Sequence, residues 1–143
     1  MKTLRQLLSG KNQSLAAVSP DDTVLIALQM MAKHDVGALL VLEGERLVGI
    51  FSERDYARKI ILHGKASKDT KVSEIMSDKV LYVTLERTID ECMAIMSERH
   101  FRHLPVMDDQ QKVVGIVSIG DLVKEKIAEQ SFIIEQLERY ITT

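Results

Sequence analysis

Gly49-Ile50-Phe51-Ser52-Glu53-Arg54-Asp55 is a short apolar strand that ends in a hydroxyl, a cation and a carboxylate, and Gly115-Ile116-Val117-Ser118-Ile119-Gly120-Asp121 repeats its glycine, its apolar pair and its Ser and Asp three residues apart. In each copy Val-Gly-Ile is strand-like, while Tyr56-Ala57-Arg58-Lys59-Ile60-Ile61 and Leu122-Val123-Lys124-Glu125-Lys126-Ile127 read as helix. Ser therefore falls at a strand-to-helix corner, where it is a natural N-cap, with Asp in the first turn. Free backbone N–H groups and the positive end of a helix dipole gather at such a corner and favour an anion such as a phosphate. A carboxylate beside it repels phosphate but accepts hydrogen bonds from a pair of hydroxyls, so the two together suit a phosphorylated sugar, a nucleotide. Plain helix capping accounts for the same residues.

Working outward from this pair, the whole chain is a tandem repeat. Residue n in 18–46 matches n + 65, and after a one-residue insertion residue n from 47 onward matches n + 66. Val18, Thr23, Leu39 and Val41 meet Val83, Thr88, Leu104 and Val106, and Val48, Gly49, Ile50, Ser52, Asp55 and Ile61 meet Val114, Gly115, Ile116, Ser118, Asp121 and Ile127. Val24, Ala27, Leu28 and Met31 form the i, i+3, i+4, i+7 stripe of an amphipathic helix, repeated by Ile89, Cys92, Met93 and Met96. Cys92 takes the place of Ala27, which makes it a small core residue rather than a nucleophile.

Each unit then reads in order as a lead-in helix (Leu4, Leu7, Leu8; Val72, Ile75, Met76), a brief strand ending near Val18 or Val83, and an amphipathic helix opened by Asp21/Asp22 or Glu86/Arg87. A two-stranded hairpin turning at Glu43-Gly44-Glu45 or Asp108-Asp109-Gln110 and a second helix follow. The order β-α-β-β-α, twice, predicts a mixed α/β (α+β) fold. Its expected parts are a lead-in helix and linker at 1–17, repeat 1 at 18–62, a small polar linker at 63–71, a lead-in at 72–82, repeat 2 at 83–128 and a C-terminal helix extension at 129–143. The extension carries Ile133, Ile134, Leu137 and Ile141 near one side, a face that packs on its own domain or on a second subunit.

At 143 residues the chain can bury a real core, and 45% apolar with 28% charged residues is ordinary globular composition. A net charge of −2 provides no sequence-wide basic field for nucleic acid. The longest apolar runs are too short for a bilayer, the N-terminus lacks a signal-peptide core, and a single cysteine allows no internal disulfide; the expected location is the cytoplasm.

With the doubled Gly-h-h-Ser-x-x-Asp (h apolar) and the two β-α-β-β-α units in hand, the sequence resembles a stand-alone pair of cystathionine-β-synthase (CBS) domains over roughly residues 4–128. The most specific stretches are residues 47–55, His100-Phe101-Arg102-His103-Leu104-Pro105-Val106 and residues 113–121. The resemblance implies two repeats packed through their sheets with pseudo-two-fold symmetry, joining as a homodimer. It also implies a cleft for an adenine nucleotide, with AMP first and ADP, ATP or NAD(H) as alternatives, S-adenosylmethionine being another family ligand. No catalytic cofactor is implied. Such a module is regulatory, senses energy state or ligand, and acts by conformational shift on a partner, here unidentified and expected to be a separate protein.

Carried over residue by residue, the resemblance builds one cleft on Ser52 for a phosphate oxygen, Asp55 for the ribose hydroxyls, Arg54, and backbone near Val18 for the adenine edge, with Arg102 and His103 crossing from the second repeat. Arginine's planar fork suits phosphate, and His103 adds a donor, more strongly when protonated. The other cleft would use Ser118, Asp121 and backbone near Val83, faced by Gly37 and Ala38. Gly120 replaces Arg54 there, so the second cleft is expected to be the weaker.

Three other classes compete. For an enzyme, no Gly-x-Ser-x-Gly elbow or Gly-x-x-x-x-Gly-Lys-Ser/Thr loop occurs, and His34, His63, His100 and His103 with one Cys have no usual metal spacing. For a nucleic-acid binder, Lys65, Lys68, Lys71 and Lys79 crowd the linker, but three Tyr, three Phe and no Trp leave no stacking platform. A ligand-free dimerisation scaffold would keep the same caps.

Overall fold

The apolar run after residue 37 becomes the centre of a sheet. In this computed structural model, which describes residues 2–9 and 15–142, strand β2 (Ala38–Glu43) pairs in parallel with β1 (Ala17–Val18) and antiparallel with β3 (Arg46–Ser52). Part of the expected first linker, residues 10–14, lies outside the described residues, as do Met1 and Thr143. The second repeat builds the same sheet from β4 (Val83–Thr84), β5 (His103–Met107) and β6 (Val113–Ser118). Registers correspond: Leu40 faces Ile50 as Pro105 faces Ile116, and both hairpins carry an irregularity after Val41 or Val106.

Helices α2 (Val24–His34) and α5 (Ile89–Arg99) cover the sheets with the expected stripes; Val24, Ala27, Met31, Ile89, Cys92 and Met96 are buried. Their N-caps are the repeat-matched threonines, not the acidic residues before them. Thr23 Oγ1 accepts from Ile26 N–H, Thr88 Oγ1 accepts from Glu91 N–H, and Asp22 instead accepts from Ser19 N–H. Each helix ends on a residue in the left-handed region, Asp35 at φ 52° and His100 at φ 58°, which turns the chain back toward its sheet.

The lead-in helices are exchanged between repeats. Helix α1 (Leu4–Ser9) sets Leu4 and Leu7 into the core of repeat 2, and its first amides are held by repeat 2 carbonyls, Leu4 N–H to Arg87 O at 2.9 Å and Arg5 N–H to Leu85 O at 2.9 Å. Helix α4 (Val72–Ile75) sets Val72 and Ile75 into the core of repeat 1. After it, Ser77 pairs with Ile50 of β3 through N–H···O bonds of 2.9 and 3.0 Å. Gly49 permits this approach: a Cβ there would lie 2.6 Å from Met76 Sδ and 3.0 Å from Ser77 O. Burying each such Leu or Ile is worth roughly 1.5–3 kcal/mol, so neither repeat core is complete without the other unit's segment.

The polar linker at 63–71 is stitched rather than loose. Thr70 is 6% exposed, and the carbonyls of Thr70 and Ser67 accept from Val24 and Leu25 N–H, the open amides of the α2 N-terminus. Beyond Ser52, a short α-helical turn α3 (Glu53–Asp55) runs into a π-helical segment, Tyr56–Ile61. Helix α6 (Ile119–Thr142) continues unbroken through the expected extension.

Candidate functional site

The two strand-to-helix corners fold as sealed capping boxes. Ser52 Oγ accepts from Asp55 N–H at 3.2 Å, while Asp55 Oδ2 accepts from Ser52 N–H at 3.0 Å and from Ser52 O–H at 3.1 Å. The second corner repeats the two backbone bonds, Asp121 Oδ2 accepting from Ser118 N–H at 3.1 Å and Ser118 Oγ from Asp121 N–H at 3.0 Å. The next amides are engaged too: Glu53 N–H donates to Gly37 O at 3.1 Å and Ile119 N–H to Arg102 O at 2.8 Å. The cap and the pre-strand carbonyl thus engage three amides at each corner, those of residues 52, 53 and 55 and of residues 118, 119 and 121, which shifts the holding of an anion toward side chains.

Those side chains are present. A cavity of about 770 Å³ opens between the repeats, lined by Ser52, Glu53, Arg54 and Asp55 of one corner, Arg58 and Lys59 a turn further on, Ser77, Lys79, Val80 and Leu81 of the exchanged segment, and residues 99–103 at the end of α5. Gly37 and Ile50 complete it. Six Lys or Arg side chains thus face two carboxylates. Asp55 is 8% exposed, and its Oδ1 accepts from Ser77 O–H at 3.2 Å and lies 3.3 Å from Lys59 Nζ.

The structure gathers five of the six residues expected in the first cleft, Ser52, Arg54, Asp55, Arg102 and His103, around this cavity. Val18 is the exception. It is 6% exposed in the repeat 1 core and does not line the space, because the exchanged segment brings Val80 and Leu81 there instead. Of the second set, Gly37 lines the first cavity rather than a separate one, and its Cβ position is 3.7 Å from His103 Nε2. Ala38, 1% exposed, has no side chain to offer a ligand, and Val83, Ser118 and Asp121 do not line this cavity. Arg58, Lys59, Lys79 and Arg99 were missed; Arg58 follows Arg54 at i+4, a same-face spacing that signals it.

His103 sits between the corners. Burial lowers its pKa from the ordinary value, opposed by the Asp121 and Glu53 carboxylates and assisted by Arg102, so the ring is neutral at pH 7. The expected donor role remains open to the neutral ring, which offers one N–H and one lone pair, while burial disfavours the stronger, protonated donor. Cys92 lies at 0% exposure in the repeat 2 core, and desolvation first, then Glu91, pushes its thiol up to about 11, which suits packing and not reactivity. Among the described residues no three His, Cys, Asp or Glu side chains gather as a metal-ligand set, and no helix is long and apolar enough to cross a membrane.

Paired β-α-β-β-α units around an inter-repeat cavity define a tandem-domain module, and the sequence pattern of the CBS domain matches residues 11–62 and 72–128. The chain belongs to the CBS-domain family. It is 43% identical over 148 residues to the CBS domain-containing protein CBSX3, mitochondrial, of Arabidopsis thaliana, covering 97% of this chain and 71% of that protein. The crystal structure of CBS domain NE2398 is 52% identical with a TM-score of 0.83, covering 89% of this chain and 99% of that one. A putative signal-transduction protein with CBS domains from Burkholderia ambifaria is 47% identical with a TM-score of 0.85, covering 90% and 96%.

Proposed function

We propose that this chain is a regulatory, non-catalytic module that binds an adenine nucleotide in the cavity between its repeats. The observation that carries the reading is the lining, six Lys or Arg side chains against two carboxylates in a space of about 770 Å³ contributed by both repeats. That excess of positive charge suits a polyphosphate tail better than a single phosphate, so ATP and ADP stand ahead of AMP, which reverses the order expected from the sequence. A charged hydrogen bond is worth about 1.5–3 kcal/mol, so one more phosphoryl contact gives ATP or ADP at least roughly tenfold over AMP. In this reading Asp55 Oδ1 exchanges the Ser77 hydroxyl for a ribose hydroxyl, Arg54, Arg102 and their neighbours hold the phosphates, and backbone at Val80 and Leu81 reads the base. NAD(H) fits the same logic, with one diphosphate for the cations.

A solved CBS domain pair, MJ0100, is a complex with 5-methylthioadenosine and S-adenosyl-L-methionine; at 22% identity that likeness shows the fold alone. A cationic lining disfavours a sulfonium, which separates the present site from that chemistry. Ligand contact with both repeats would favour one arrangement of them over another, and a separate partner would read the change. The proposed setting is cytoplasmic, although the plant relative is named as mitochondrial.

Thermal melting with ATP, ADP, AMP and S-adenosylmethionine tests the proposal. At 100 times its dissociation constant a ligand adds about 2.7 kcal/mol, a shift of several degrees. With all four ligands at one equal concentration, the expected order of the shifts is ATP and ADP, then AMP, with S-adenosylmethionine last and the ATP recovered intact. No shift with any nucleotide, or a shift with S-adenosylmethionine as large as with ATP, overturns it.

A further inference from the structure

From the end of the second repeat onward, beginning at Val123, α6 carries an apolar face that no other described segment covers. Val123, Ile127, Ile134, Leu137 and Ile141 are 37%, 58%, 56%, 56% and 80% exposed. With Gln130 they are spaced 4-3-4-3-4, the seam of a heptad, with Ile at all three a positions and Val, Gln and Leu at d. Neighbouring positions on the same turns are already used within the chain. Leu122 is fully buried, Lys126 Nζ lies 2.9 Å from Asp90 Oδ1, and Glu125 pairs with Lys2. Away from the seam Glu135 and Arg139 pair at 3.1 Å, beside Phe132, which is 63% exposed.

We infer that this seam is a docking surface for the same helix of a second copy of the chain, paired antiparallel about a two-fold axis level with Phe132. The seam is its own complement in that direction: Ile127 stacks on the partner subunit's Leu137, Ile134 on the partner subunit's Gln130, and Ile141 on the partner subunit's Val123. The flanking positions choose the direction. Antiparallel pairing sets Lys124 against the partner subunit's Glu138, twice by symmetry, and brings Ile133, 50% exposed, onto the partner subunit's Ile133. Parallel pairing would set Ile133 against a glutamate and leave both Lys124 side chains without an opposite charge.

Two cysteine variants of the full chain discriminate the arrangements, since the native Cys92 is fully buried. Ser131 meets its own copy at the axis only in the antiparallel pair, and Gln130 only in the parallel one. Mild oxidation is expected to give a covalent dimer with Ser131→Cys and none with Gln130→Cys. Sedimentation is expected to show a dimer for the unsubstituted chain and a monomer for Ile134→Glu/Leu137→Glu, whose cooperative melting, checked by circular dichroism, persists because both positions are exposed. A monomeric unsubstituted chain, a dimer that survives the double substitution, or cross-linking through position 130 in place of 131 overturns the inference.

Discussion

Replacing Gly49 by alanine tests whether the exchange of lead-in segments holds the two repeats together. The added methyl would sit 2.6 Å from Met76 Sδ and 3.0 Å from both Met76 Cγ and Ser77 O. The thioether can swing aside, but the Ser77 carbonyl cannot, because Ser77 and Ile50 are joined by two backbone bonds of 2.9 and 3.0 Å. Overpacking a tight contact costs about 1–3 kcal/mol, and a weakened backbone bond adds about 0.5–1.5 kcal/mol. The expected loss is about 2–4 kcal/mol, a melting temperature lower by roughly 6–15 °C for a chain of this size. Ser77 and Lys79 line the cavity, so ATP affinity should fall with it. Gly120→Ala is the control: its Cβ would meet nothing nearer than Ser118 Oγ at 3.6 Å, within α6, and should stabilise by about 0.5–1 kcal/mol. Circular dichroism melts of both variants measure this; a Gly49→Ala protein that melts with the parent refutes the exchange as a structural constraint.

Two further outcomes follow from the ionisable groups. His103 has a lowered pKa in the fold, so the unfolded chain binds more protons near its ordinary value; stability is full above about pH 6.5 and falls as pH drops through the folded pKa, a loss that His103→Gln should remove in melts across that range. A phosphate near the ring opposes that shift, so acidification should tighten ATP binding more in the parent than in His103→Gln, ATP's own proton being common to both. Cys92, whose thiol is held near 11 in the core, should resist a soluble thiol reagent in the native protein and react fully on unfolding; rapid native labelling would contradict its placement.

The element order was legible because burial follows period: Val24, Ala27 and Met31 recur as Ile89, Cys92 and Met96, and apolar pairs mark the strands. The Ser-x-x-Asp corners were legible as caps, and as caps they formed. What did not show was which core each lead-in helix joins. Leu4 and Leu7 offer the same spacing as Val72 and Ile75, so either pair suits either core, and only the folded contacts tell them apart. For the same reason the sequence does not show that Val80 and Leu81 line the cavity. The basic lining was hidden because Arg58, Lys79 and Arg99 come from three separate segments and look like ordinary solvated charges until the fold gathers them.

Calorimetric titration of ATP into the parent chain and Arg102→Ala addresses the cavity between the repeats most directly, since Arg102 reaches it from the repeat opposite Asp55. The expected result is one ATP per chain in this cavity and a loss of roughly 10–150-fold on removing one charged hydrogen bond. Equal affinity in the two proteins, or no binding to the parent, would contradict a nucleotide site built across both halves.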